Sequence, residues 1–156
     1  MFKQILESRF GAAVLALSLL LWAFTAHAAS NQEQVGDYII YYTVIPTSSL
    51  DPQVAQSYGI TRSKALGLVR VTVVKLTPEG NREPVTARVS GQVSNLAGQL
   101  NSLGFKNQQV GQNQGAFSWA TFRFSPADPL RFNLRVTYTP QQPAHELSFI
   151  QRLYMD

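Results

Sequence analysis

The highest concentration of polar side chains able to recognise a ligand lies in the segment Thr61-Arg62-Ser63-Lys64. Arginine and lysine make charge-assisted hydrogen bonds to carboxylate and phosphate oxygens, and loops held by a rigid scaffold commonly carry binding residues. Ser63 stands beside Lys64, but a Ser/Lys nucleophile requires a hydrogen bond in space that adjacency in sequence does not supply. We therefore predict that Arg62 and Lys64 capture an anion. The alternative is a solvated charged connector.

Side chains that support catalysis are few and dispersed. His145 is the one histidine beyond the N-terminal segment, and it follows a proline-rich turn with no nucleophile motif nearby, so we expect an exposed turn residue. The carboxylates are spread over termini, caps and turns, away from the apolar strand faces where burial shifts a pKa. We predict a protein that is not an enzyme and has no cofactor. An enzyme whose site is assembled from scattered residues, with or without a metal, is the alternative.

The sequence contains no cysteine. Disulfides, thiol redox chemistry, a cysteine zinc site and a lipoprotein anchor are therefore excluded. Histidine and carboxylate residues form no dense cluster in the sequence either, so we predict no metal site.

The N-terminal segment has the three parts of a secretory signal. Lys3 and Arg9 precede an apolar run over residues 12–24, and the small residues Ala26 and Ala28 follow it. This order predicts a signal peptide over residues 1–28 and a single mature domain over residues 29–156. The apolar run is shorter than the about 20 residues of a membrane span, so we expect no stable membrane insertion after cleavage. The expected location is the periplasm.

The charge of the chain is mildly basic, with a formal net value of +4, of which +3 remains after the signal peptide is removed. We expect no nucleic-acid partner, because an exported protein is separated from the nucleic acids of the cytoplasm and the sequence has no dense basic run. We therefore expect an envelope protein or an anionic envelope component as partner, for example phospholipid headgroups, lipopolysaccharide or acidic cell-wall groups. The alternative is that the basicity only serves solubility.

Two alternating segments, residues 68–76 and 84–93, flank a turn over residues 77–81 that contains Pro78 and Gly80. Apolar residues at every second position are typical of half-buried strands. The pattern predicts a hairpin that pairs Val71 with Val89 and Val73 with Ala87. Polar residues in between, including Arg70 and Arg88, then face away from the core.

The rest of the mature chain contains further strand candidates and one short helix. Asp51 suits an N-cap, Pro52 the first helical position and Gly59 the residue after the end, and we expect docking through Val54 and Tyr58. About seven strands in total predict an all-β, immunoglobulin-like sandwich, with a closed barrel as the alternative. The other strand candidates are residues 37–45, 103–110, 116–124, 130–138 and 146–154, with a turn predicted at residues 111–115.

Phe117 and Trp119 lie in the strand candidate at residues 116–124. Their large rings suit either a platform on which a ligand stacks or the interior of the domain. We interpret them as core residues, because a sandwich of this size needs large apolar side chains inside.

The mature chain resembles the uncharacterised proteobacterial envelope family called domain of unknown function 4426. The resemblance implies an exported protein and no established activity, and it singles out Tyr58 and Ser63, together with Arg62 and Lys64, as family-like positions that we take as binding candidates. Residues 108–114 are more polar than the family's usual acidic turn at this place. The motifs are Pro52-x-Val54-Ala55-x-x-Tyr58-Gly59-Ile60-x-Arg62-Ser63-Lys64, Leu68-Val69-x-Val71, Asn95-Leu96-x-Gly98-Gln99, Leu103-x-Phe105, Arg131-Phe132 and Phe149-x-Gln151-x-Leu153-Tyr154.

These observations together favour a soluble periplasmic binding or interaction module of the cell envelope. The alternatives are the enzyme described above and a structural accessory that pairs with a partner strand through an exposed sheet edge.

The signal peptide leads to a mass prediction. Export should remove residues 1–28, so protein recovered from the periplasm should have the intact mass of residues 29–156. Mass spectrometry of the periplasmic fraction checks this, and recovery of a full-length, membrane-bound chain would contradict it.

The anion prediction concerns Arg62 and Lys64. Replacing both by Gln should lower affinity for an anionic partner with little change in melting temperature, because exposed charge pairs contribute about 0–1 kcal/mol to stability. Binding of the unchanged protein should also weaken with salt, since the Debye length falls from about 10 Å at 0.1 M to about 3 Å at 1 M. A titration beside a melt of the same variant checks both effects, and unchanged binding would remove this pair from consideration.

Overall fold

The computed structural model describes residues 31–109 and 115–154, so the predicted signal peptide lies outside the described residues. Residues from Asn31 onward form one compact unit. Within the described part of the chain, no helix has the length and apolarity needed to cross a membrane. The elements in chain order are β1 (Gln32–Val35), β2 (Tyr38–Pro46), a 3-10 turn (Thr47–Ser49), α1 (Pro52–Tyr58), β3 (Leu66–Leu76), β4 (Arg82–Val85), β5 (Arg88–Ser94), β6 (Leu100–Leu103), β7 (Lys106–Gln109), β8 (Ala116–Arg123), β9 (Pro129–Thr137) and β10 (His145–Arg152).

The strands form two antiparallel sheets. The six-stranded sheet has the order β1-β2-β3-β8-β7, with β4 paired to β3, and the four-stranded sheet has the order β10-β9-β5-β6. The predicted all-β sandwich is confirmed, and the sheets do not close into a barrel. The described residues contain more strands than the seven predicted. One reason is that the candidate at residues 103–110 contributes to two strands, β6 in one sheet and β7 in the other, while Val110 and residues 111–114 lie outside the described residues.

The core lies between the inner faces of the two sheets, and Phe132 on β9 is at its centre. Phe132 is fully buried and packs edge-to-face on Phe122 of the six-stranded sheet, with ring centroids 5.1 Å apart. It also stacks on Phe149 of β10 at 5.0 Å, and Phe149 stacks on Tyr42 of β2 at 4.4 Å. This chain of rings joins the sheets, because aromatic pairs at such distances add to the free energy gained by burial.

The predicted hairpin has the right turn but the wrong second strand. The turn is closed by a hydrogen bond from the N–H of Thr77 to the carbonyl of Asn81, and Gly80 has φ +84°. However, β3 pairs there with the short strand β4, which places Val73 opposite Val85. Val71 does not pair with Val89. The part of this edge of β3 that β4 does not reach, which includes Val71, pairs with β8.

The chain crosses to the other sheet after β4. Val89 on β5 therefore pairs with Val136 of β9 instead of Val71. Val71 and Val89 still belong to the same core, because the crossing puts them on facing sheets. The expectation that Arg70 and Arg88 face outward is confirmed, since both are exposed.

Helix α1 begins and ends as its sequence predicts. The Asp51 carboxylate accepts hydrogen bonds from the N–H groups of Gln53 and Val54, and Gly59 takes the left-handed conformation with φ +66°. The docking prediction is correct for Tyr58 and wrong for Val54, which is 42% exposed. Ala55 is the buried contact instead, because it lies three positions before Tyr58 on the same helix face.

His145 connects the edges of the two sheets and is not an isolated turn residue. It is the first residue of β10, and its Nε2 atom lies 3.3 Å from Oε1 of Glu33 on β1. The side chains are partly buried, at 25% and 42% exposed. The expectation of an exposed turn residue is therefore wrong, because a contact with a strand more than a hundred positions earlier has no local signal.

The burial pattern predicts unequal responses to two substitutions. Val71 is 1% exposed, so Val71→Asp should bury a carboxylate and lower the free energy of unfolding by at least about 3 kcal/mol. Arg88→Gln on the exposed face should cost about 0.5 kcal/mol or less. Denaturant unfolding of the two variants checks this, and equal losses would mean that the faces are assigned wrongly.

Candidate ligand pocket on the outer face of the six-stranded sheet

A second group of apolar side chains lies on the outer face of the six-stranded sheet, outside the sandwich core. Such a face is usually polar, because it contacts solvent. Here helix α1 and the segments beside it cover part of the face. The buried members are Ala55, Ile60, Leu68, Phe117 and Trp119, and Ile45, Leu50 and Tyr58 pack against them partly buried.

The two apolar faces of β8 explain this group. Ala120 and Phe122 belong to the sandwich core, while Phe117 and Trp119 belong to the outer group. Residues at alternate positions of a strand point to opposite faces of the sheet. Two large aromatic residues therefore lie outside the sandwich and require a cover, which α1 supplies through Ala55 and through the edge-to-face contact of Tyr58 with Phe117 at 5.6 Å.

A mainly apolar pocket of about 150 Å³ lies between the helix region and the sheet. An open depression of about 430 Å³ adjoins it along the same sheet face, and both share Thr43 and Arg70. Arg70 is thus at the junction of the two. The pocket is lined by Thr43, Ile45, Leu50, Val54, Tyr58, Ile60, Leu68, Arg70, Phe117 and Trp119, and the depression by Tyr41, Thr43, Arg70, Thr72, Val74 and Arg82.

Trp119 lines this pocket, and its side chain carries a buried hydrogen-bond donor. The residue is 6% exposed, and its indole Nε1 has no hydrogen-bond partner among the described residues. An indole N–H only donates, and buried donors are normally paired. A pocket wall that carries an unused donor is suited to a ligand that supplies an acceptor.

Two aromatic rings of the pocket lining each have a cationic side chain over them. The Arg70 guanidinium lies 4.4 Å from the ring centroid of Phe117, and Nζ of Lys106 lies 5.3 Å from that of Trp119. Both distances fall within the range of cation–π attraction. Within residues 31–109 and 115–154, no carboxylate lies within 4.0 Å of either cation. The site therefore combines an apolar interior with an uncompensated positive charge.

The predicted binding residues are divided between this pocket and the connector that follows it. Tyr58 lines the pocket. Ser63 belongs to the connector, where its N–H donates to Oγ1 of the buried Thr47 at 2.9 Å and its carbonyl accepts from the same hydroxyl at 3.1 Å. Arg62 donates through Nη2 to the carbonyl of Ser48 at 2.9 Å, and Lys64 is exposed. The pocket lining does not include Arg62, Ser63 or Lys64. Capture of an anion by Arg62 and Lys64 in the connector therefore stays a prediction.

Arg70 and Trp119 are the pocket residues whose role the sequence did not indicate. The interpretation of Trp119 and Phe117 as core residues is confirmed, since they are 6% and 8% exposed, but they pack in the outer group and not between the two sheets. The signal available in the sequence is that both alternating sets of residues 116–124 are apolar. A strand of that kind needs cover on both faces.

Metal binding has no obvious position in the described part of the chain. No group of three or more histidine or carboxylate side chains lies close enough together there to hold an ion. The pocket is lined mainly by apolar side chains, and its polar members include the Trp119 indole and the Arg70 guanidinium.

Comparison with known proteins places the chain in a family. The family model described as Domain of unknown function (DUF4426) matches residues 32–156, whereas no curated protein matches. The crystal structure of a DUF4426 family protein from Pseudomonas aeruginosa PAO1, at 2.09 Å resolution, is similar to this chain with 30% identity and a TM-score of 0.66. The match covers 80% of this chain and 94% of that chain, so the crystallised relative consists almost wholly of the matching domain. The chain belongs to the DUF4426 family.

Proposed function

We propose that this protein is a periplasmic binding module of the cell envelope that holds a small ligand, or the end of a larger one, in the outer-face pocket. The ligand combines a short apolar portion with an anionic group that accepts hydrogen bonds. Its role is to bind and not to catalyse. The signal peptide predicted from the sequence of residues 1–28 supports this location.

The indole N–H of Trp119 is the observation that carries this proposal. A buried donor without an acceptor costs about 1–3 kcal/mol relative to a paired one. Nε1 has less than 1 Å² of accessible surface, so the indole ring turns toward the ligand for a ligand oxygen to accept from this N–H. The hydrogen bond removes that cost and adds to the affinity of the ligand. The surrounding apolar lining excludes water, which strengthens such a hydrogen bond.

Arg70 supplies the charge selectivity. Its guanidinium rests over Phe117 and has no carboxylate partner among the described residues. A planar guanidinium forms paired hydrogen bonds with a carboxylate or phosphate, and an arginine held in place loses less side-chain entropy on binding. An anionic headgroup at the junction of pocket and depression is therefore favoured over a neutral one.

The two volumes limit the size of the ligand portions. A pocket of about 150 Å³ takes only a short aliphatic or small cyclic group, since ligand pockets for whole drug-sized molecules measure about 300–1,000 Å³. Any larger part of the ligand lies in the open depression between Arg70 and Arg82. Arg82 then provides a second contact for an anionic headgroup.

The two rival functions lead to different observations. An enzyme with a site assembled from scattered residues would convert a bound ligand and release product. A structural accessory that pairs through a sheet edge, such as the eight-residue edge strand β10, would bind a partner strand without any response in the pocket.

Tryptophan fluorescence tests the pocket directly. In the domain of residues 29–156, Trp119 is the sole tryptophan, so its emission reports this site alone. Titration with straight-chain carboxylates of increasing length should shift the emission in a saturable way, and the matching neutral alcohols should bind more weakly. Arg70→Gln should weaken carboxylate binding about ten- to a hundredfold, because a hydrogen bond to a charged group contributes about 1.5–3 kcal/mol.

Arg88→Gln is the matched control, because it removes an exposed arginine from the other sheet. Its carboxylate affinity should equal that of the unchanged domain, and melts of both variants should show that each is folded. An emission that no carboxylate changes, or an equal response in the Arg70→Gln variant, would refute the proposed site. Conversion of the ligand during the titration would favour the enzyme.

A further inference from the structure

Large apolar side chains that remain exposed are concentrated at one end of the four-stranded sheet. The described residues contain five such side chains, and Val54 on α1 is the one that lies elsewhere. The other four are Leu96, 79% exposed, Leu100 and Ile150, each 59% exposed, and Tyr154, 58% exposed. Exposed apolar residues are common singly, but several together mark an interaction surface.

The strand register explains why these side chains come together. Leu100 pairs with Ser94, Ser94 pairs with Arg131, and Arg131 pairs with Ile150, so these four residues form one row across all four strands. The neighbouring positions Val93 and Phe132 are buried in the core, which places the row on the outer face.

The other two apolar residues lie at the same end of the sheet. Leu96 is in the tight turn that follows β5, between Ser94 and Leu100. Tyr154 comes two residues after β10, whose last residue, Arg152, pairs with the first residue of β9, Pro129. Leu96, Leu100, Arg131, Ile150, Arg152 and Tyr154 are called the end patch below.

The charge of the end patch is positive. Arg131 stands in the middle of the row between aliphatic neighbours, and Arg152 is close to it on the same face. Among residues 31–109 and 115–154, neither arginine has a carboxylate within 4.0 Å. The nearest acidic positions along the sheet are Asp128, in the loop before β9, and Glu146, at the opposite end of β10. Exposed aliphatic residues beside unpaired arginines are complementary to an anionic and partly apolar surface.

We propose that the end patch docks this domain on an anionic phospholipid bilayer. The aliphatic side chains enter the headgroup region, and Arg131 and Arg152 bind lipid phosphates. A bilayer is the occupant that fits best, because Leu96 projects from the tip of a turn and needs no matching pocket. A protein partner would have to present such a pocket together with carboxylates for both arginines. The patch is on the sheet opposite to the ligand pocket, so this inference does not depend on the function proposed above.

Vesicle co-sedimentation tests the docking. The domain of residues 29–156 is used, since residues from Asn31 onward form one compact unit and the crystallised relative corresponds to the same domain. We expect sedimentation with vesicles of equal parts phosphatidylglycerol and phosphatidylcholine, and at least about tenfold weaker binding to phosphatidylcholine alone. Binding should also weaken as salt is raised.

Three double variants separate the contributions. Leu96→Ser/Ile150→Ser should lower binding to the anionic vesicles about tenfold, because the apolar anchor is lost. Arg131→Gln/Arg152→Gln should abolish the preference for anionic vesicles. Lys75→Gln/Arg88→Gln removes two exposed charges that lie outside the end patch and should bind as the unchanged domain does. Circular dichroism melts check that every variant is folded.

Two results would overturn the proposal. Absence of binding to phosphatidylglycerol vesicles would exclude a bilayer and leave the patch to a protein partner. An equal loss in the Lys75→Gln/Arg88→Gln variant would show that attraction depends on net charge and not on this patch.

Discussion

The packing of Phe132 between the two sheets is the interaction on which the rest of the structure depends. Its ring contacts Phe122 on one side and Phe149 on the other, and through Phe149 the contacts extend to Tyr42. A sandwich without disulfides has only such burial to hold its sheets together. Both proposed surfaces lie outside this core, one on each sheet, so each sheet can present ligand-binding residues while its inner face maintains the fold.

The ligand pocket arises from an excess of apolar residues that the core cannot accept. Phe117 and Trp119 lie on the wrong face of β8 for the sandwich interior, and a seven-residue helix is unstable in water without tertiary contacts. Each stabilises the other, because Ala55 and Tyr58 cover the rings and the rings give the helix a surface to pack on. The cover is incomplete beside Trp119 and Arg70, and that gap is the pocket.

Local features of this fold were predictable and long-range ones were not. The caps of α1 and the turn at Gly80 follow from side-chain chemistry within a few residues, and both are present. The partner of Val71 depends on β8, which lies about fifty positions later, so alternation alone assigned the wrong strand. The pocket was missed for the same reason. Tyr58 was indicated by its family-like motif, but its proximity to Trp119 and Arg70 depends on sheet pairing that has no local sequence signal.

The shared edge of β3 has a consequence for how the chain reaches this structure. One half of that edge pairs with β4 through a short turn, whereas the other half pairs with β8 only after the chain has passed through the second sheet. Sheets built from such distant pairings fold slowly, in about milliseconds to seconds. During that time the early hairpin protects half of the edge, while the half awaiting β8, residues 66–71, is open to intermolecular pairing. The half of β3 that pairs with β8 is therefore the segment where aggregation competes with folding, and a slow-folding chain has to be shielded there until β8 arrives.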